Sequence, residues 1–272
     1  MWLLTLVLGA ALLYAGLVLV TALFQTKMLF PAQVAAANRP PLPPSAERLE
    51  LTLPDGDRLI GVRLGPASDS KPLLLGFGGN AWNADAMALY LHRLFPEHDV
   101  IAFHYRGYPP SSGTPSAEAL LADALTIFDH LQRERPRAIV TVGFSIGSGV
   151  AAYLAHHRTV AGLILVTPFD TLKALAQEHF SWAPTGLLLR HRMPTIDLVK
   201  DRQTPTAMIA AGRDTIVPAR RSEPLRSAIP NLVLDRTIAD AGHNDLYDHP
   251  AFVAAMREAV ALFEGAMPQS IR

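Results

Sequence analysis

Ser145 stands in the run Gly143-Phe144-Ser145-Ile146-Gly147, a G-x-S-x-G spacing whose chemistry is that of an activated hydroxyl. A serine oxygen is a weak nucleophile until a base takes its proton, and the base in turn needs an acid to orient it. The spacing also has a steric meaning. If the run joins a strand to a helix, a sharp turn holds the serine in a strained backbone conformation with its hydroxyl outward. Side chains two residues to either side would then meet neighbouring backbone, hence the glycines. The competing reading is a glycine-rich turn in which Ser145 only caps the next helix. The apolar stretch Ala138-Ile-Val-Thr-Val142 directly before it favours the nucleophile. The chain has ten histidines and no cysteine, which excludes a thiol nucleophile, a disulfide framework and thiolate metal sites.

In a parallel sheet the partners of such a serine lie on loops at the carboxyl ends of later strands, in the order serine, acid, histidine. His92, His98, His104 and His130 precede Ser145, and His156 and His157 end the helix after it. His179 and His191 fall in a block that interrupts the strand series, and His249 before Pro250 marks a helix start. His243, in Asp240-Ala-Gly-His243-Asn-Asp245, lies between the last strand pattern and the last helical pattern and is the candidate base, rather than a merely polar loop residue. Two acids fit the order. Asp214 comes after the apolar run Thr206–Ala210, and Asp170 after the preceding run Leu163–Val166. Either could form a turn or cap a helix instead; Asp214 is preferred because it belongs to the later strand. Asp240 and Asp245 sit too near His243 in sequence to be easy partners and are read as stabilising its loop.

A tetrahedral intermediate needs two preorganised N–H donors. The amide of Ile146, next after the nucleophile, is one candidate; the amide of Asn80, in the loop Gly76-Phe-Gly-Gly-Asn80-Ala-Trp-Asn83, is the other. The same loop matches G-x-G-x-x-A, the weak form of a dinucleotide fingerprint. That reading calls for an acidic residue at the end of the next strand, and the chain has Phe103-His104-Tyr105-Arg106 there.

The elements that must position these groups are set by hydrophobic rhythm. Glu47–Leu53 alternates apolar and polar, Pro54-Asp-Gly-Asp57 turns, and Leu59–Leu64 returns, which predicts a β-hairpin. Beyond residue 72, short apolar runs (Leu73–Leu75, Val100–Phe103, Ala138–Val142, Leu163–Val166, Thr206–Ala210, Leu232–Leu234) alternate with helical patterns, the last from Pro250 to Phe263. Strands without polar alternation, separated by helices, indicate an α/β fold: a mostly parallel central sheet with helices on both faces. Block 171–203 is too long for a simple connection and is expected to form a short helical cap insert, in which Phe180, Trp182 and Leu187–Leu189 supply apolar surface. That surface either receives acyl chains or simply covers the core.

The first charged side chain is Lys27. Trp2–Phe24 as a helix would be about 35 Å long, enough to cross a hydrocarbon core of about 30 Å. A cleaved signal peptide is the competing reading, but no Lys or Arg precedes the run and it exceeds a typical signal core. The expected layout is a single-pass membrane anchor over 1–26, an Ala/Pro-rich linker over 27–46 acting as an extended spacer, and a catalytic domain over 47–272. Lys27, Arg39 and Arg48 favour a cytoplasmic domain, whereas short-tailed signal anchors often export the domain attached to them, so both sides stay open. Lys+Arg and Asp+Glu balance at 24 each, which argues against a nucleic acid partner.

Taken together, several segments resemble the α/β-hydrolase superfamily, and within it the membrane-anchored branch of small serine hydrolases called serine aminopeptidase-like or α/β-hydrolase-domain proteins. They are Lys27-Met-Leu-Phe-Pro31, Gly78-Gly-Asn-Ala81 with Asn83, Tyr105-Arg-Gly-Tyr108 leading to Ser112-Gly113 and Pro115, Gly143–Gly147, Asp214–Pro218 and Gly242–Asp245. The similarity spans about residues 25–265. It implies the α/β-hydrolase fold, with Ser145, Asp214 and His243 as catalytic triad, Asn80 and Ile146 as oxyanion hole, and no metal or organic cofactor. The implied reaction is acyl transfer to water from a small-molecule or lipid-like ester or thioester; a peptidase or amidase using the same triad, or a hydrolase-like binding protein, are the alternatives. Two departures stand out. Gly78 replaces a usual histidine, so the loop must be held by other hydrogen bonds, and Pro109 replaces a usual glycine, a change expected to reshape the pocket mouth.

Overall fold

The computed structural model describes residues 1–66 and 70–266. The uncharged N-terminal run forms one helix, Trp2–Leu29 (α1), about 42 Å long and long and apolar enough to cross a membrane. It runs five residues past Phe24. The linker is not the extended spacer expected. Ala32–Ala37 (α2) is helical, and Phe30 and Ala35 are buried in the domain's core. Gln33 and the alanines of this stretch are good helix formers, and the stiffening prolines begin only at Pro40, beyond the helix.

Glu47–Thr52 (β1) and Arg58–Leu64 (β2) form the antiparallel hairpin, with Leu51 opposite Leu59. After it come Leu73–Phe77 (β3), Ala84–Leu94 (α3), Val100–Phe103 (β4), Ala117–Glu134 (α4), Ile139–Phe144 (β5), Ile146–His157 (α5) and Gly162–Val166 (β6). Leu172–His179 (α6), Thr185–Leu188 (α7) and Thr195–Val199 (α8) occupy the block read as a cap. Thr206–Ala211 (β7), Ala219–Ala228 (α9), Leu232–Ile238 (β8) and Pro250–Ala266 (α10) complete the described fold.

The eight strands form one sheet in the order β1-β2-β4-β3-β5-β6-β7-β8, parallel from β4 to β8. All residues of β3 through β7 are buried, as continuous apolar strands covered on both faces require. Successive side chains divide between two cores. Leu73 and Leu75 face the layer of α4 and α5, while Leu74 faces α3 and α10. β8 runs four residues beyond the apolar triplet that marks it in sequence. As an edge strand it carries exposed Asp235, Arg236 and Thr237, which no hydrophobic criterion detects.

A charge cluster around a buried carboxylate fixes the exit of α1 to the sheet. The Asp85 carboxylate, almost fully buried at the start of α3, accepts from Arg39 Nε (2.9 Å), Arg48 Nη1 (2.5 Å) and His104 Nε2 (3.2 Å). Burial alone would raise its pKa, but the hydrogen bonds from His104, Arg48 and Arg39 outweigh it and hold the carboxyl well below the usual range. Only the carboxylate is buried, since the Arg39 and Arg48 side chains are 33% and 44% exposed, so the loss on breaking these pairs falls below the roughly 3–5 kcal/mol of a fully buried pair. Asp85→Asn is expected to melt lower than the wild type at pH 7. A depressed folded-state pKa contributes stability above the unfolded value, about 3.9, that is lost as pH falls toward the folded value. The difference in melting temperature should therefore shrink between pH 7 and pH 2.5. An equal difference at both pH values would show that the carboxylate's charge is not what the cluster uses.

Candidate active site

β5 ends at Phe144 and α5 starts at Ile146, so one residue makes the whole turn. Ser145 takes φ +51°, ψ −116°, a conformation costing roughly 1–3 kcal/mol for a non-glycine residue. The surroundings over-determine it. Its N–H donates to Val166 O on β6 (2.9 Å), and its carbonyl accepts from Ser148 N (2.9 Å) and Ser148 Oγ (2.5 Å). A Cβ on Gly147 would overlap the Phe77 carbonyl at the end of β3, and one on Gly143 would overlap the Gly147 carbonyl. Both glycines are thus required by the contact between the elbow helix and the neighbouring strand. The Ser145 hydroxyl, half-buried, makes no hydrogen bond to the protein among the described residues and lines a cavity of about 630 Å³.

His243 lines the same cavity. Its Nδ1 donates to Asp214 Oδ2 at 2.7 Å, while Asp214 Oδ1 accepts from the amides of Ile216 (2.9 Å) and Val217 (2.7 Å). Both carboxylate oxygens are therefore engaged, one to hold the acid and one to hold the imidazole. With Nδ1 as donor, Nε2 is left as the basic nitrogen facing the serine's cavity. Asp245 Oδ1 accepts from Gly242 N (2.5 Å), and Asp240 pairs with His249, so both act within the histidine's loop. Asp170 is elsewhere. It accepts from Thr171 N (2.6 Å), pairs with Arg221 (3.1 Å), and makes no bond to His243. Its place is the base of the cap.

The loop after β3 passes close to the elbow. A Cβ on Gly79 would lie 3.8 Å from that of Ser145, and Gly79, Asn80 and Ile146 all line the cavity. Ile146 opens α5, so its amide has no intrahelical acceptor. The Asn80 amide donates to no carbonyl among the described residues. Where a histidine is absent at Gly78, two phenols support the loop: Tyr105 Oη donates to Gly78 O and Tyr108 Oη to Asn80 O, each at 2.7 Å. Burial pushes both phenols well above their ordinary pKa, so they stay protonated donors. Asn83 caps α3 through Ala86 N (2.9 Å) and donates to the carbonyl of Ala35 (2.9 Å), tying the loop's far end to α2. Pro109 does not itself line the cavity; it follows Tyr108, whose hydroxyl holds the carbonyl of the lining residue Asn80.

Three lining groups escaped the sequence reading. Trp82 stacks on Phe144 (5.3 Å) and meets Tyr247 edge-on (4.9 Å), forming an aromatic wall beside His243. His179 binds Ile216 O (2.7 Å) at the rim. Leu29, at the end of α1, also lines the cavity. Nothing local marks it, because α1 is apolar on all sides and no face stands out. Among the described residues, no three His, Asp or Glu side chains gather as metal ligands. The assembled geometry suits attack on a carbonyl by a hydroxyl, with a base behind it and amides in front.

Residues 73–195 match the family model of the alpha/beta hydrolase fold. An uncharacterized protein of Mycobacterium tuberculosis, Rv2307c, is 32% identical over 257 residues, covering 91% of each chain. The lysophosphatidylserine lipase ABHD12 of Danio rerio is 28% identical over 171 residues, 55% of this chain and 45% of the lipase. Among solved structures, an esterase of Pyrococcus furiosus superposes with a TM-score of 0.67 at 18% identity, over 86% of this chain and 93% of the esterase. That likeness establishes the fold.

If the phenols hold the donor loop, Tyr105→Phe and Tyr108→Phe should each slow capture of a fluorophosphonate at Ser145 by about tenfold, less than the loss of a direct oxyanion donor. Unchanged labelling in the double variant would show that the loop keeps its shape without them.

Proposed function

The chain belongs to the α/β-hydrolase family, and on that premise we propose that it is a serine hydrolase cleaving a carboxylic ester or thioester at the membrane surface. Ser145 is the nucleophile, His243 the base, Asp214 the orienting acid, and the Ile146 and Asn80 amides the oxyanion hole. The observation that carries this reading is the 2.7 Å bond from His243 to an Asp214 carboxylate whose other oxygen is held by two amides, on the wall that Ser145 shares.

In the first step Ser145 Oγ attacks the substrate carbonyl and its proton passes to His243 Nε2. The carbonyl oxygen becomes an oxyanion between the two amides, with the N-terminus of α5 adding its positive dipole end. Asp214, held by the amides of Ile216 and Val217, orients and stabilises the imidazolium. Collapse breaks the bond to the leaving alcohol or thiol, which takes the proton from His243. Water, deprotonated by the same nitrogen, then attacks the acyl carbon; the bond to Ser145 Oγ breaks, that oxygen takes the proton back from His243, and the acid is released. An ester or thioester is favoured over a peptide by the apolar cavity wall of Leu29, Phe169, Leu172 and Phe180, whose side chains offer no hydrogen bond to a peptide backbone. Similarity to a lipase points the same way. α1 supports membrane anchoring by its length and uninterrupted apolarity.

Fluorophosphonate labelling and mass spectrometry together test the nucleophile: wild type should be modified on Ser145, and Ser145→Ala should not react. Asp214→Asn is expected to lower kcat on a p-nitrophenyl ester by about 10⁴-fold, whereas Asp170→Asn should stay within about threefold and chiefly lower thermal stability. Near-normal turnover in the Asp214 variant would reassign the acid.

A further inference from the structure

α1 does not stand clear of the catalytic domain. Its flank is hydrogen-bonded to the cap along about 18 Å of helix, the rise from Tyr14 to Thr26. Tyr14 Oη donates to Trp182 O (2.8 Å), and Gln25 Nε2 donates to Leu188 O (3.1 Å). Gln25 Oε1 accepts from Arg190 N (2.8 Å), and Thr26 Oγ1 bonds His191 Nε2 (2.8 Å). The cap segment carried along this flank, Phe180–Leu189, has no charged side chain, and it exposes Trp182 and Leu187, the latter at 88%. If α1 lies in a bilayer, this tip lies at the depth of acyl chains or of the headgroup boundary, where exposed Trp and Leu are stable.

Between α1 and the cap lies a second cavity of about 170 Å³, lined by Val18, Ala22 and Leu29 on one side and Ala176, Phe180 and Leu188 on the other. No charged residue lines it, and the only long polar side chain there, Gln25, is already bonded to the cap. Leu29, Ala176 and Phe180 line this cleft and the catalytic cavity alike, so the two meet at a common wall. The cleft therefore lies between the flank of an apolar helix and the chamber of Ser145, parted from that chamber by these three apolar side chains. Its lining suits hydrocarbon and gives nothing to a headgroup.

We propose that this cleft admits the acyl chain of a membrane lipid sideways from the bilayer and delivers its ester carbonyl to Ser145. The occupant is an acyl chain because the cleft is uncharged and shares the apolar wall of Leu29, Ala176 and Phe180 with the site of acyl transfer, a wall whose Leu29 and Phe180 side chains need only rotate to join the two. The inference rests on the serine-hydrolase reading for its chemistry and on the helix contacts for its geometry.

The test uses the full chain in phosphatidylcholine vesicles, with Ala22→Trp and Ala183→Trp filling the cleft at positions that do not line the catalytic cavity. Two variants on opposite walls, each checked by its melting curve, guard against a fold defect in one. Hydrolysis of p-nitrophenyl palmitate dissolved in the vesicles should fall at least tenfold in both, with soluble p-nitrophenyl butyrate unchanged within twofold. A phosphatidylcholine carrying a terminal diazirine on one acyl chain should cross-link Ser145→Ala within residues 14–29 and 176–189, and the added Ala22→Trp should abolish this. Palmitate turnover that survives both tryptophans, or falls only in step with butyrate, together with absent cross-links, would overturn the proposal. Cross-links in a protein inert to both esters and to fluorophosphonate would leave the acyl cleft standing and sink the hydrolase reading instead.

Discussion

The contact on which the site depends is the near-touching of two backbones where α5 begins against the end of β3. Gly147 lies against the Phe77 carbonyl and Gly143 against Gly147, and no side chain fits at either place. That approach forces Ser145 alone to make the reversal, at positive φ. The strain is tolerated only because β5 is flanked on both sides, by β3 beneath the helix and by β6, whose Val166 carbonyl takes the serine's amide. A sheet in any other order would leave the turn free to relax. Asp214 and His243 are brought to the side of the sheet where Ser145 lies for the same reason: β7 and β8 run parallel to β5 and release their loops at the same end of the strands.

Around this centre the polar groups divide the labour of rigidity. Asp214 is held by amides before it holds His243. The donor loop hangs from two buried phenols, and the helix after it is capped by Asn83, which also grips α2. Asp85, in the first turn of the same helix, binds Arg39 and Arg48. A chain of direct contacts thus links the exit of the N-terminal helix to the loop beside Ser145. Burial makes these contacts expensive to break singly, since each loss strands a charge or a donor.

Much of this is legible in sequence where one physical demand dominates. Strands covered on both faces must be uniformly apolar, so β3 to β7 stand out, and a one-residue elbow needs small neighbours, so Ser145 does too. The order rule isolates His243 because every other histidine after the serine sits in a helix, the cap or a helix start. Legibility fails where several demands compete. β8 hides behind an edge strand's tolerance of charge. The helical segment Ala32–Ala37 is obscured by the prolines after it. Leu29 and Trp82 line the cavity through long-range packing, which local periodicity does not encode. The phenol props under Gly78 and Asn80 arise from tyrosines 27 and 28 residues away.

The way α1 is bound has a mechanical consequence. It is pinned at its flank by the cap, at its end by buried Phe30, and just beyond by the Arg39 and Arg48 pairs with Asp85. Three separated attachments leave no axis about which the domain can swivel, so helix and domain tilt as one body. Were α1 to lie in a bilayer, a helix of about 42 Å would exceed a hydrocarbon core of about 30 Å and lean to match it, more in thin bilayers than in thick ones. The mouth of the cavity would lean with it. Bilayer thickness would then set the angle at which the chamber meets the leaflet.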